Sequence, residues 1–158
     1  MIQGLIHLHN FLRWVILLFL VIAVIKHLTG MTARKPYTAG DKKFSSILMI
    51  TTHTQFLIGL FLYFAGSVGL KMIQQMGMGP VMKEASTRYW AVEHILGMIV
   101  AITLITIAGG VGKKNLNDRQ KHTRSFWLLF VALIIILLMM PWPFHSSAPR
   151  PLFPGMQV

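Results

Sequence analysis

The chain has 158 residues, 54% of them hydrophobic, and a mean hydropathy of +0.62; so much apolar surface excludes an ordinary water-soluble domain and implies a lipid solvent. Its 15 Lys and Arg against four Asp and Glu give a formal charge of +11. These basic residues sit in short loops between apolar runs, which assigns them to anionic lipid headgroups and not to nucleic acid. Cysteine is absent, which excludes disulfides, iron–sulfur ligation and thioether-bound haem and leaves His, Met and carboxylate for any metal.

Four windows approach the roughly 20 apolar residues needed to cross a hydrocarbon core of about 30 Å: Leu5 to Ile25, Ile47 to Leu70, Tyr89 to Gly109 and Phe126 to Phe144. In lipid each span must satisfy its own backbone, and uninterrupted apolar runs favour helices over alternating barrel strands. The expected fold is all-α, an integral membrane four-helix bundle over residues 1–144, followed by a tail over 145–158. The first run has no basic residue ahead of it and no small-residue cleavage site, so it reads as a retained helix and not a signal peptide.

The first loop holds Lys26, Arg34, Lys35, Lys42 and Lys43, and the third holds Lys113, Lys114, Arg119, Lys121 and Arg124. Both read as cytoplasmic by the positive-inside rule, which places both termini outside a bacterial-type inner membrane. Trp142 between Pro141 and Pro143 suits a helix stop at the outer interface. Beyond it, Pro149, Pro151 and Pro154 favour extended backbone, and Leu152, Phe153 and Met156 suggest that the tail docks on a partner subunit or a second copy of the chain.

Ionisable groups within spans are costly and mark candidate sites. Helix one carries His7, His9 and Arg13, helix two His53 and Gln55, and helix three Glu93 and His94. His27, His122 and His145 flank the apolar runs and read as interfacial. At 1.5 Å per residue, His9 lies about 6 Å and His94 about 7 Å below the outer surface, so the two are level. Two imidazoles facing each other at one depth are what the axial positions of a haem iron need. Gly97 and Ala101, at i+3 and i+7 from His94, either make room for a porphyrin edge or permit close helix contact. Arg13, one turn below His9, needs a partner such as a haem propionate or Glu93. His53 and His122 come out about 15 Å from level, so a second haem on that pair requires the fourth helix to begin near Asn117. Otherwise His53 and Gln55 line a polar cavity for a quinone headgroup or join an interhelical hydrogen bond.

The run His-Leu-His-Asn-Phe-Leu-Arg-Trp from His7 to Trp14, Thr-His-Thr-Gln from Thr52 to Gln55, Glu93-His94, Lys121-His122 and the Pro-Trp-Pro-Phe ending at Phe144 resemble a family of small bacterial four-helix membrane proteins labelled cytochrome b-like. The resemblance implies a b-type haem held by histidines and contact with membrane quinone. Three functions fit these residues. One is a membrane cytochrome passing electrons between quinol and an outer partner, with His9 and His94 as iron ligands; this is an electron-transfer subunit more than a stand-alone catalyst. The second is a cofactor-free accessory subunit of a larger respiratory assembly. The third is the handling of copper or another soft metal by histidine with Met72, Met76, Met78 and Met82. No nucleophile–base pair or phosphate loop is present to support hydrolysis or phosphoryl transfer.

Overall fold

The computed structural model describes residues 2–153. Its long helices are α1 (Ile2–Thr32), α2 (Ala39–Ala65), α6 (His94–Val111) and α7 (Asp118–Met139). Between α2 and α6 lie three short ones, α3 (Leu70–Met76), α4 (Met78–Lys83) and α5 (Ala85–Arg88), and a π-helical turn, Tyr89–Glu93, that joins α5 to α6 without a break. No strand is present among the described residues, and four helical segments are long and apolar enough to cross a membrane.

Neighbouring pairs run α1–α2, α2–α6, α6–α7 and α7–α1. The four thus close into a ring in which α1 faces α6 across the centre. The core is Ile16, Leu17, Leu20, Ala23 and Val24 of α1 against Leu48 of α2, Ala101, Ile105 and Ala108 of α6, and Phe126, Leu129, Ala132 and Ile136 of α7. Apolar side chains also cover the outside, Leu18, Ile25, Leu57, Phe64, Leu96 and Leu138 among them. Helices that are apolar all round suit a lipid surround, because no face is reserved for water.

The helix ends extend beyond the apolar runs because local caps carry them there. Thr38 and Asp41 form a reciprocal capping box at the start of α2, and Asn117 and Gln120 form another at the start of α7, each satisfying amide donors that the first turn leaves free. Asp41 also meets Lys26 at 2.6 Å, tying the basic end of α2 to α1. At the other end α2 stops at Ala65, where the chain turns through Gly66 to Gly69. Gly69 has φ +87, a left-handed conformation that favours glycine. The stop comes before Leu70, the expected end of the span, and the turn opens the bundle at that point.

Candidate functional site

A cavity of about 220 Å³ opens in the half of the bundle nearer the N-terminus of α1, roughly fifteen times the ~15 Å³ that one water requires. Its walls are mostly apolar, among them Ile6, Phe56, Leu60, Ile95, Met98 and Ile102. Into this lining project His9 and Arg13 from α1, Gln55 and Tyr63 from α2, and Trp90 and His94 from the third span. The structure therefore places His9 and His94 on the walls of one cavity, carried by the two helices that face each other across the ring.

His94 is oriented by the way α7 ends. A helix leaves its last carbonyls without intrahelical partners, and Pro141 and Pro143 have no amide hydrogen to offer them. Side chains take over: the Trp142 indole donates to the Leu137 carbonyl at 2.8 Å. The Met139 carbonyl accepts from the Tyr89 hydroxyl and from His94 Nδ1, each at 2.8 Å. A carbonyl only accepts, so His94 carries its proton on Nδ1 and keeps the lone pair of the neutral ring on Nε2. This is the second bond that metal-binding histidines use to fix tautomer and ring orientation. The π-helical turn ends one residue before His94. Such bulges recur at functional sites, and here the Tyr63 hydroxyl donates to the Ala91 carbonyl within it at 3.1 Å.

His9 is positioned from α2. Gln55 Nε2 donates to the His9 carbonyl at 2.8 Å, and Gly59 leaves the space that the ring occupies: a Cβ added there would lie 2.9 Å from His9 Cε1. His9 Nδ1, Arg13 Nε and Nη1, and Gln55 Oε1 are all buried without a hydrogen-bond partner among the described residues. Buried polar atoms are normally paired, so four such atoms on residues of one cavity wall call for a ligand with polar groups or for ordered water.

Several expectations change. Gly97 and Ala101 do not border the cavity; its α6 face runs through His94, Met98 and Ile102. A Cβ on Gly97 would meet Met139 Cγ, so this glycine serves close α6–α7 packing. Glu93 pairs with Arg88 at 2.6 Å and not with Arg13. His53 and His122 are not brought together, although α7 does begin next to Asn117: His53 Nε2 meets the Thr106 hydroxyl of α6 at 2.9 Å, and His122 meets His27. His27 and His122 are buried within the bundle and bonded to each other. Met76, Met78 and Met82 are exposed on the short helices.

The tail docks on its own chain. Arg13 Nη2 donates to the carbonyls of Pro151 at 2.8 Å and Leu152 at 2.7 Å, and the Trp14 indole donates to Leu152 at 2.7 Å. Extended, proline-rich backbone leaves such acceptors unused, which is why a guanidinium can find them here. Phe153 stacks on Trp14, and Arg150 lies over Trp90 at the cavity wall. Ala148 is buried, and His145 packs on the Tyr89 ring. Met156 lies outside the described residues. Deleting residues 145–158 is expected to raise oxidative footprinting of Tyr89 several-fold; unchanged labelling would show that the tail does not cover it.

The fold and site define a four-helix chain of membrane-spanning length with a histidine-lined cavity at one end. Comparison with family models, with curated proteins and with solved structures returns no match.

Proposed function

We propose that the cavity holds one b-type haem, whose iron His9 and His94 would hold, and that the chain is a membrane electron-transfer protein or subunit. The observation that carries this reading is His94, whose Nδ1 is committed to the Met139 carbonyl, leaving Nε2 as the free lone pair of a ring that shares a cavity with His9. The remaining features fit such a group: apolar walls for a macrocycle, and a buried Arg13 with two unpartnered nitrogens for a propionate. Bound haem supplies one-electron chemistry. The chain's own residues set its conditions: two neutral imidazoles favour low-spin iron, and apolar walls with a nearby guanidinium tune the potential.

Haemin titrated into the purified chain in detergent should bind once per chain with a six-coordinate spectrum. Binding that is equally tight in a His9→Ala, His94→Ala double variant would overturn the assignment.

In this reading the cavity faces the outside of a bacterial-type inner membrane and the basic loops face the cytoplasm, following the charge asymmetry. A cysteine introduced at any of residues 33–36 should escape a membrane-impermeant thiol reagent in intact cells and react after lysis. Labelling in intact cells would reverse the orientation.

A further inference from the structure

At the opposite end of the bundle from the cavity, four elements build a second polar nest. His27 of α1 and His122 of α7 are 1% and 2% exposed, and their Nδ1 atoms are 3.0 Å apart. Gly30, one turn beyond His27, admits the second ring: a Cβ there would sit 2.4 Å from His122 Nδ1. The Tyr37 ring covers both imidazoles at centroid distances of 6.0 and 5.2 Å. Around them His122 Nε2 and the hydroxyls of Tyr37, Ser45 and Ser125 are buried without a hydrogen bond of good geometry among the described residues, the Tyr37 and Ser45 hydroxyls lying close to each other. Ser125 follows His122 by three residues and so shares its face of α7.

The geometry distinguishes the occupants of such a site. Two nitrogens on one tetrahedral zinc, at about 2.0–2.1 Å each, stand about 3.3 Å apart; these are closer, and no group of three or more His, Cys, Asp or Glu side chains suited to a metal exists among the described residues. The separation is instead that of a hydrogen bond in which one Nδ1 donates and the other accepts. A neutral pair has one proton between the rings and one on an outer nitrogen. One further proton can be added without breaking the bond, and then both outer nitrogens carry hydrogen. A fourth would set two Nδ1–H groups against each other. In the singly charged state the His122 Nε2–H needs an acceptor, and the nest holds uncommitted hydroxyl oxygens. Burial pushes the Tyr37 phenol up from its ordinary value, so that hydroxyl keeps its proton and its acceptor lone pairs.

We infer that His27 and His122, with the Tyr37, Ser45 and Ser125 hydroxyls, form a proton-binding site that takes up one proton per chain at the basic end of the bundle. The ionisable groups around it are Lys26 on α1, Tyr37 in the linker, Asp41 and Lys42 on α2, and Lys121 on α7. α6 brings Gly112 to within 3.1 Å of the Tyr37 hydroxyl, measured from an added Cβ. Asp41 is paired with Lys26, and Lys121 lies over the Tyr37 ring. The apolar layer of Leu20, Ala23 and Val24 separates the nest from the cavity, so the site exchanges protons with the cytoplasmic face when the chain is oriented as above. It does not depend on haem.

The test is nitrogen-15 NMR of histidine-labelled chain in lipid nanodiscs, titrated from about pH 9 to about pH 3, a window that reaches well below the ordinary histidine range because burial disfavours a charged ring. His27 and His122 should titrate together, gaining one proton in one step. The double variant Tyr37→Phe, Ser125→Ala keeps both rings and removes two acceptors, and should move that step about one unit lower. His122→Gln should abolish the shared step. Two independent steps, no step at all, a step unmoved in the double variant, or stoichiometric zinc or copper binding lost in His122→Gln would each overturn the inference.

Discussion

Replacing His94 with alanine should abolish six-coordinate haem binding while leaving the bundle folded. The side chain occupies one of the two ligand positions, and among the described residues no other imidazole lines the cavity: His53 is turned to Thr106, His122 to His27, and His7 and His145 lie outside the lining. Iron held by His9 alone would be five-coordinate and lost more readily. The fold should survive because the Met139 carbonyl keeps the Tyr89 hydroxyl as donor, so the end of α7 stays anchored. The expected loss is at least tenfold in haem per chain, with unchanged far-ultraviolet circular dichroism and residual haem high-spin. A low-spin bis-imidazole spectrum of full intensity in this variant would rule out the His9–His94 pair.

Gly30→Ala should cost roughly 2–5 kcal/mol of stability, from overpacking and from a buried hydrogen bond forced apart. The sign is informative. Alanine in an exposed helix interior is favoured over glycine by about 1 kcal/mol, so propensity alone predicts stabilisation. The added methyl would meet three atoms of the His122 ring at 2.4 to 2.6 Å, and that ring is 2% exposed, packed against His27 and Tyr37. It has no open side to move into. Thermal unfolding in detergent should show a clear fall in midpoint with haem content per folded chain unchanged, since Gly30 lies 21 residues, about 31 Å along α1, from His9. A variant as stable as the native chain would mean that the His122 ring can shift freely.

The four long helices are legible in the sequence because each is a run of about 20 apolar residues with basic loops between, a pattern that leaves little choice of element. Their ends are less so. Thr38–Asp41 and Asn117–Gln120 extend α2 and α7 past the apolar runs by capping, a pattern written in the sequence but outvoted by hydropathy. The common level of His9 and His94 followed from counting residues down each helix, and both line one cavity. Which face of α6 continues from His94 did not follow, because i+3 and i+4 positions lie on either side of it. The cavity takes Met98 and Ile102, and packing takes Gly97. On α2, Thr52, Gln55 and Gly59, with Gly66 just past its end, put polar and small residues along the cavity wall, a signal available in the spacing. His27 and His122 read as interfacial because they flank the apolar runs at the basic end; only the ring of helices shows that α1 and α7 turn them toward each other. The sequence offers Arg13 a carboxylate, while the acceptors its Nη2 meets are carbonyls of a proline-rich tail 138 and 139 residues away, a contact no local pattern announces.

The most direct measurement is the reduced-minus-oxidised optical spectrum of the native chain, purified from cells supplied with haem precursor. One haem per chain held by His9 and His94 should give the sharp α and β bands of low-spin, six-coordinate b-type haem. A featureless visible spectrum, from protein that is folded and also fails to take up added haemin, would contradict it.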